Sequence, residues 1–413
     1  MEVTEVSRLD PIDQAAEVQA TSDWLVTQGL LKARTETLVE GFCERVGASG
    51  IPLLRGQVSI PTLHPTFNAI TYVWWRDKGI ETRGQEHGSQ ALRAWQESPF
   101  RFMAKTRTNT LRRRLEGPDA VIDFPILAEL RGLGATDYFA RITPFGSGGK
   151  PQDGNGMLAS WTGDRPGGFS EHDIAILERL QPRLGLAVNM AVTDQIAHNV
   201  MDAYVGPDAG RRVLNGEIRR GSLQVIRAVL WYADLRGFTE LADRTPREEL
   251  VSMLDEYFDC MAEPLTNHGG QVLKFMGDGM LGTFNLKDRP RQSICRDAIN
   301  SAAEALDAVA RLNEERSRAG KPTMLLDLAL HLGDVLYGNV GSADRLDFTV
   351  VGPAVNEASR IETLCQVLGS HLLISQTLAE AAKSCSDRLV SLGRHKLRGV
   401  RESQELFTLK DAG

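Results

Sequence analysis

From residue 226 onward, short apolar runs alternate with longer patterns in which apolar residues lie three and four positions apart. The first run, AVLWYADL at 228–235, is almost continuously apolar, which predicts a buried strand. The next pattern predicts a helix that Thr245 caps, with Pro246 in its first turn and Glu248 completing a capping box. After it, GQVLKFMG and MLGTF flank an Asp-Gly pair and predict a hairpin.

The same alternation continues towards the end of the chain. It predicts a long helix over residues 291–320, a second hairpin formed by LLDLALHLG and VLYGNVG, and a short strand, FTVVG. PAVNEASRIETLCQVLG is typical of a helix and HLLIS of a strand. The order β-α-β-β-α-β predicts an α+β fold of the ferredoxin-like type, with helices on one face of an antiparallel sheet. In this layout we expect the first and second strands to be neighbours.

The N-terminal part differs in its pattern of apolar and polar residues, because residues 1 to about 168 mix helical and strand patterns. The following segment, FSEHDIAILERLQPRLGLAVNMAV, predicts a helix that begins with a capping-box-like pair, Ser170 and Asp173. Apolar residues then recur at spacings of three and four until the pattern breaks at Asp194; they are Leu177, Leu180, Leu184, Ala187 and Ala191. This spacing suits the seam of a helix pair and equally one amphipathic helix packed on its own domain.

These changes in pattern predict the domain organisation. A chain of 413 residues suggests two or three domains at about 100–200 residues each. We expect a first domain over residues 1–185, a helical linker over 186–222 and a second domain over 223–413.

Composition narrows the classes of function. The net charge of −7 argues against a nucleic-acid-binding surface. Five scattered cysteines without CxxC spacing favour a reducing compartment, and they argue against a disulfide framework and a zinc site. The N-terminus is acidic and polar, unlike a secretory signal. Because no apolar run reaches the roughly 18 residues of a membrane span, we expect a cytoplasmic protein.

Two acidic residues stand where strands of the second domain end. Asp234 closes the first strand, and Asp278 lies at the hairpin corner, where it could be a turn residue or a metal ligand. Two carboxylates on neighbouring strands would repel one another unless a divalent cation or a shared proton relieves them. Oxygen ligands with open positions suit Mg²⁺ or Mn²⁺. The RGFT turn after Asp234 could also offer backbone N–H groups to phosphate oxygens.

Three segments carry a family resemblance. ADLRGFTEL, LKFMGDGMLGTF and DFTVVGPAVNEASRIE resemble the signature blocks of class III nucleotide cyclases, in the family's order, and the resemblance covers roughly residues 225–410. It implies an adenylate cyclase, which converts ATP to 3′,5′-cyclic AMP and pyrophosphate. In that reaction the ribose 3′-hydroxyl attacks the α-phosphate in line, with two Mg²⁺ or Mn²⁺ ions per active site.

The resemblance also implies a role for each matching residue. The metal-binding positions are Asp234, Leu235 and Asp278. The positions that contact substrate are Lys274 and Thr349 at the adenine, the turn Gly237, Phe238 and Thr239, and, as the loosest match, Arg398 at the terminal phosphates. Asn356 orients the ribose, and Arg360 stabilises charge on the reacting phosphate. Asn356 and Arg360 are four residues apart, so they project from one face of a helix.

The family resemblance also implies how two chains assemble. Lys274 and Asp278 lie four apart in one strand and turn, so they cannot easily serve one active site together. The resemblance implies a head-to-tail homodimer, in which the aspartates of one chain meet the substrate-contacting residues of the other. Two equivalent sites would result, and activity would require the dimer.

The base-reading pair favours ATP over GTP. A lysine ammonium donates and a threonine hydroxyl can accept, which matches adenine. Two alternatives stay open: a guanylate cyclase, and a non-catalytic module that uses the fold for dimerisation. Intact metal and transition-state positions argue against the second, and the absence of a GGDEF-type turn argues against a diguanylate cyclase. Departures from the family pattern are small: Gly279 should only ease the turn, and Asp334 replaces glutamate.

The N-terminal domain resembles a GAF-like sensor in size, in its terminal helix and in its place before the cyclase segment, and it would regulate the enzyme. A small molecule or a protein regulator could bind there. His64, Trp74, Trp75 and Trp95 could line a ligand pocket, although such residues are more often core. Cys43 is expected to be a buried thiol rather than a chromophore attachment site. The basic run LRRRLEG at 111–117 is expected to be a solvated helix face rather than a site for an acidic partner.

Overall fold

The computed structural model describes residues 10–61, 67–86, 93, 95–146, 156–287 and 289–410. The chain divides into two compact units, Met1–Val200 and Met201–Gly413. The boundary falls within one helix, Glu171–Val205. None of the helices in the described part of the chain has both the length and the apolar character that a bilayer crossing requires.

The first unit is built from helices and one antiparallel sheet. Its strands are β1 Leu53–Pro61, β2 Phe67–Trp75, β3 Gly79–Glu86, β4 Thr110–Arg114, β5 Asp137–Pro144 and β6 Gly156–Gly163. Its helices are α1 Pro11–Leu30, α2 Thr35–Ala48, α3 Pro99–Thr106, α4 Pro125–Gly132 and α5 Glu171–Val205. Among the described residues, the strands form a six-stranded sheet in the order β3-β2-β1-β6-β5-β4. A GAF fold for this unit stays a prediction.

Helix α5 begins as predicted and continues past Asp194, where the apolar pattern breaks. The backbone N–H of Ser170 donates to Asp173 Oδ2 at 2.7 Å, and the N–H of Asp173 donates to Ser170 Oγ at 3.1 Å, which confirms the capping pair. The helix ends at Val205, directly before Gly206, whose φ of +87° is left-handed and cannot continue a helix. The predicted apolar residues of α5 are buried in the core of the first unit, which confirms the single amphipathic helix.

The aromatic candidates of the first unit are packing residues. Trp74 is buried in the core around α2 and α5, and Trp75 and Trp95 pack against a second core between α3, α4 and β5. His64 lies outside the described residues. Cys43 is fully buried, and a Cβ at Gly56 would come within 2.6 Å of its sulfur. Cys43 is therefore a core residue, as predicted.

The basic run at 111–117 is mostly strand, so the predicted helix face is wrong. In β4, Arg112 Nη2 donates to Asp137 Oδ2 at 2.8 Å, and Arg112 Nη1 donates to Glu171 at 2.7 Å. Asp137 is completely buried, so its charge requires this partner. The neighbouring Arg113 pairs with Asp123 at 2.8 Å. Two of the arginines thus serve the fold of this unit.

The second unit begins with the last turn of α5. Its strands are β7 Leu223–Arg236, β8 Gln271–Met276, β9 Gly279–Asn285, β10 Leu325–Gly341, β11 Leu346–Val351, β12 Leu372–Ser375, β13 Leu389–His395 and β14 Gln404–Leu409. Its helices are α6 Pro207–Leu214, α7 Phe238–Ala242, α8 Arg247–Asn267, α9 Arg291–Arg318, α10 Pro353–Glu362, α11 Leu364–Leu368 and α12 Gln376–Ala381. A 3₁₀ helix spans Lys383–Arg388.

The predicted β-α-β-β-α-β order is present as β7-α8-β8-β9-α9-β10. Within the described residues, the sheet order is β13-β14-β12-β10-β7-β9-β8, and β11 pairs with β10. The first strand, β7, is thus flanked by β9 and β10, and the expectation that β8 would be its neighbour is wrong. In this layout β8 can pair only with β9, because β7 already has a partner on each side.

The predicted second hairpin is also wrong, since LLDLALHLG and VLYGNVG form the single strand β10. Gly333 suggested a turn, but it serves packing: a Cβ there would overlap with the methyl group of Ala354 in α10. The real hairpin joins β10 and β11, which pair from Leu336↔Val351 to Gly341↔Leu346. Tyr337 and Phe348 pack edge to face across it, with ring centroids 4.8 Å apart.

Both faces of this sheet are covered, rather than the single face predicted. Alternate residues of β7 and β10, such as Trp231 and Leu328, pack against α8 and α9. The residues between them, such as Leu230, pack with Ala354 and Ala358 of α10. The start of α8 differs from the prediction: Pro246 has an extended backbone and occupies the N-cap position, so no side chain caps the helix and neither Thr245 nor Glu248 forms the expected box.

The cysteines offer a test of this core. Cys43, Cys295, Cys365 and Cys385 are buried and Cys260 is partly exposed. Burial raises the pKa of Cys43, Cys295 and Cys365, which keeps them protonated. We expect one slowly reacting thiol, Cys260, when the native protein is titrated with 5,5′-dithiobis(2-nitrobenzoate), and five after denaturation. A native Cys260→Ser protein in which a thiol still reacts would contradict this assignment.

Candidate active site

The two predicted aspartates lie at one corner of the second unit. Asp234 is two residues from the end of β7, and Asp278 lies in the turn between β8 and β9. β7 pairs with β9 so that Ala233 lies opposite Met280, which brings the turn beside Asp234. The carboxylates therefore lie near one another, as expected. The strand that brings them together is β9, whereas the prediction assigned this part to β8.

Both carboxylates are held in an environment that disfavours their charge. Partial burial, followed by the charges of Asp278 and Asp327, raises the pKa of Asp234 to about 6. Burial also raises the pKa of Asp278. The corner therefore stores electrostatic repulsion that a proton or a cation would relieve.

A further carboxylate, Glu362, belongs to this corner and was missed in the sequence. It is the last residue of α10. Burial, then the charges of Asp234 and Asp327, raises the pKa of Glu362 to about 7, despite the nearby Arg236. The signal was available, because Glu362 follows Arg360 by two residues at the end of a signature block.

A basic residue close to the corner, Arg236, is bound to another carboxylate. Arg236 donates from Nε and Nη2 to the two carboxylate oxygens of Asp327, at 2.8 Å each. Asp327 is buried, and its Oδ1 also accepts from Nδ1 of His371 at 2.9 Å. Asp327 lies opposite Asp234 in the pairing of β10 with β7. Among the described residues, Asp234, Asp278 and Glu362 have no ion-pair partner.

The corner fits a divalent cation. Its donors are carboxylate oxygens, which Mg²⁺ and Mn²⁺ prefer. A Cβ at Gly279 would lie 2.9 Å from Asp234 Oδ1, so the glycine leaves room beside this oxygen and does more than ease the turn. The Leu235 side chain is buried in the core, so only its backbone oxygen could contribute. Among the described residues, no group of three or more His, Cys, Asp or Glu side chains is arranged to hold a metal ion. Substrate and water would therefore complete the coordination of an ion at this corner.

The turn after Asp234 has the predicted geometry. Gly237 has φ +88°, a left-handed conformation that favours glycine. The short helix α7 then begins at Phe238. Thr239 is exposed in its first turn, where backbone N–H groups lack helical partners.

The lysine that is predicted to read the base is paired within its own chain. Lys274 of β8 forms an ion pair with Asp347 of β11. The expected partner, Thr349, lies two residues further along β11 and hence on the same face of the strand. The described hydrogen bonds include none between Lys274 and Thr349. The prediction that the two residues read adenine together stays a prediction, and sequence reasoning missed Asp347.

The remaining predicted residues gather around α10. Asn356 is exposed, and Arg360 lies one turn later with its guanidinium beside Gly399, 3.5 Å from a Cβ built there. Arg398 directly precedes Gly399 in the segment between β13 and β14, and it is exposed. Arg398, the weakest of the family matches, thus lies in the segment that contacts Arg360.

A polar group around the buried His331 supports α10 from the side of the sheet. Glu357, next to Asn356, accepts from Gln404 Nε2 at 2.7 Å and lies 3.6 Å from His331 Nε2. Burial lowers the pKa of His331, which keeps the ring neutral. This group fixes the height of α10 over the sheet, and therefore the positions of Asn356 and Arg360.

Comparisons with known proteins concern the part of the chain that contains this site. Residues 224–411 match the family described as adenylate and guanylate cyclase catalytic domain. The matched segment contains every predicted site residue and most of the second unit. This part of the chain is therefore of the cyclase catalytic-domain type. The family includes adenylate and guanylate cyclases, so the match does not choose between ATP and GTP.

Individual relatives are more distant. An adenylate cyclase of Anabaena cylindrica is 28% identical over 224 residues, 52% of this chain and 43% of that protein. Adenylate cyclase 1 of Rhizobium meliloti is 29% identical over 179 residues, 43% of this chain and 26% of that protein. This chain thus spans less than half the length of either relative. A crystal structure of a guanylyl cyclase is 30% identical with a TM-score of 0.41, and covers 46% of this chain and 95% of that one.

The raised pKa values predict how stability depends on pH. Because Asp234 has a folded-state pKa of about 6, against about 4 when unfolded, its contribution to stability is complete below pH 4 and is lost as the pH rises through 6. Without divalent cations, Asp234→Asn should therefore raise the melting temperature at pH 8. Water screens this half-exposed group, so we expect a rise of only about 1–3 °C.

The same variant should lose stabilisation by metal. We expect Mn²⁺ to raise the melting temperature of the wild-type protein at pH 8 and to leave that of Asp234→Asn nearly unchanged. Asp344→Asn, at an exposed position between β10 and β11, is the matched control. Equal stabilisation of all three proteins would show that the corner does not bind the cation.

Proposed function

We propose that the second unit is the catalytic unit of an adenylate cyclase that converts ATP to 3′,5′-cyclic AMP and pyrophosphate. The observation that carries this proposal is the repelling pair Asp234 and Asp278 at one sheet corner, within a segment that matches the cyclase catalytic-domain family. A non-catalytic module would have no use for this unfavourable arrangement, which weakens that alternative.

The carboxylates would hold two Mg²⁺ or Mn²⁺ ions, with the backbone oxygen of Leu235 as a further ligand. Ions bound there would lower the pKa of the ribose 3′-hydroxyl and neutralise the leaving pyrophosphate. The turn formed by Gly237, Phe238 and Thr239 would offer N–H donors to phosphate oxygens. Glu362 would not ligate directly, but its charge would raise the affinity of the corner for cations.

Four side chains outside the corner would position ATP. Lys274 and Thr349 would read adenine, which requires the ammonium group of Lys274 to move from Asp347 to the base. Both partners of that ion pair are about half exposed, so the pair is weak and can be exchanged. Asn356 would orient the ribose and Arg360 would stabilise the charge that develops on the α-phosphate. Arg398 would contact the terminal phosphates.

Activity would require a homodimer in which each site takes its aspartates from one chain and its Lys274, Thr349, Asn356 and Arg360 from the other. An exposed apolar patch supports a protein partner on this unit. Val225 and Leu336 lie opposite one another on β7 and β10, and Val351 lies opposite Leu336 on β11. Their exposed fractions are 65%, 38% and 43%, unusual for adjacent apolar side chains.

We further propose that the first unit regulates the catalytic unit. Support comes from chain order and from the single helix Glu171–Val205, which contains the boundary between the units. The test compares cyclic nucleotide formation and dimerisation by the full chain and by residues 201–413. Unchanged rate and unchanged dimerisation would remove the regulatory role.

The primary test is product formation by the full chain with ATP or GTP and Mn²⁺. We expect cyclic AMP to be the main product, and Asp278→Asn to lower its rate by at least about a hundredfold while the protein stays folded. Asp334→Asn is a matched control, since Asp334 is an exposed acid on β10 paired with Arg227. Cyclic GMP as the main product would overturn the Lys274 argument, and full activity of Asp278→Asn would overturn the site.

A mixing experiment tests the shared sites. Asp278→Asn and Arg360→Ala homodimers should each be nearly inactive. In a heterodimer of the two, both defects fall in one site and the other site is intact. With random exchange at equal concentrations, half of the dimers would be hetero, so about one quarter of wild-type activity should return. Mixtures that stay inactive after confirmed subunit exchange would show that each chain builds its own site.

A further inference from the structure

A cavity of about 420 Å³ lies beside α9, on the sheet face that α10 does not cover. This volume is within the range of small-molecule sites. Its apolar walls come from α9, the start of β10 and the end of β14; they are Leu306, Val309, Ala310, Leu325, Leu326 and Leu409. None of these residues belongs to the proposed catalytic machinery.

The polar rim of the cavity indicates the charge of its ligand. Two acidic residues, Asp307 and Asp387, and two basic residues, Arg388 and Lys410, lie at the rim. Arg388 already donates to Asn300 Oδ1 at 2.9 Å. Because the rim charges cancel and the walls are apolar, the cavity favours an uncharged molecule.

Two further polar side chains line the cavity, Asn313 and His371. Asn313 accepts from the hydroxyl of Tyr257 and donates to the backbone oxygen of Met324, so the directional contact falls to His371. His371 lines the cavity, and its Nδ1 donates to Asp327, since a carboxylate only accepts. In the neutral ring, Nε2 is then the remaining hydrogen-bonding atom and it is an acceptor. A ligand with one hydroxyl or N–H donor would satisfy it.

The cavity wall on β10 is one strand away from the corner formed by Asp234 and Asp278. Leu325 and Leu326 in its wall lie opposite Arg236 and Leu235 in the pairing of β10 with β7. His371 also leads to the corner through Asp327, which binds Arg236 through two hydrogen bonds. A ligand in the cavity would thus contact β10, which pairs with the strand that carries Asp234, and it would contact His371, whose hydrogen-bonded partner Asp327 lies opposite Asp234.

We propose that this cavity binds an uncharged aromatic or alicyclic molecule carrying one hydroxyl or N–H donor, and that His371, Asp327 and Arg236 couple its occupancy to the Asp234–Asp278 corner. The binding site stands independently of the cyclase activity. The coupling rests on the proposed function of the corner as a cation site.

The first test measures binding of 2-naphthol to the full-length protein by calorimetry. We expect Ala310→Phe, which adds a ring at the exposed edge of the cavity, to weaken binding at least tenfold. Ala308→Phe makes the same change on the same helix at a residue that does not line the cavity, so its affinity should match wild type. Circular dichroism and melting temperature establish that both variants fold. Equal affinities for Ala310→Phe and Ala308→Phe would overturn the site.

The second test addresses the donor. 2-Methoxynaphthalene keeps the rings of 2-naphthol but cannot donate, so it should bind wild type about fivefold more weakly. In His371→Phe the two compounds should bind with similar affinity. A fivefold difference that persists in His371→Phe, or no difference in wild type, would overturn the contact with His371.

The third test addresses the coupling through Mn²⁺ binding, which needs no turnover. Saturating 2-naphthol should change the Mn²⁺ affinity of wild type at least threefold and leave that of Ala310→Phe unchanged. If Mn²⁺ binds but its affinity does not respond in wild type, the coupling is wrong. If Mn²⁺ does not bind the corner at all, the proposed function fails together with the coupling, while the first two tests still decide the cavity.

Discussion

Repulsion between carboxylates at the end of β7 is the constraint on which the second unit depends. Strand pairing places Asp234 beside the turn that carries Asp278, and α10 adds Glu362 to the same corner. The arginine that could neutralise them is held by Asp327. The repulsion at this corner therefore lowers the stability of the fold, and a cation that binds there would remove the repulsion and stabilise the folded state.

The sheet separates two sets of chemistry. On one face, α10 carries Asn356 and Arg360, and its height is set by Gly333 beneath Ala354 and by the partly buried Glu357. On the other face, α8 and α9 form the large apolar core, with a cavity at its margin. The hydrogen-bonded pair Asp327 and Arg236 joins the cavity wall to the corner, so the two faces are not independent.

Much of this could be predicted from the sequence, because period-2 and period-3.6 patterns and the three signature blocks are local. The strand at 228–235, the hairpin around Asp278 and the helix with Asn356 and Arg360 follow from them. What failed depends on contacts distant in sequence. Gly333 was taken for a turn residue, but its small size is needed by a helix 20 positions later. Similarly, Lys274 meets Asp347 because β10 and β11 bring an acid 73 residues away to it.

The length of β10 has a consequence for how this domain can change over evolution. One uninterrupted strand of 17 residues presents Asp327 to the corner, His331 to the underside of α10 and Tyr337 to β11. Side chains along a strand alternate between faces, so inserting or deleting a single residue near Leu328 would exchange the faces of every later position. Natural variants should therefore show almost no changes in the length of β10, whereas the connections at its two ends are free to vary.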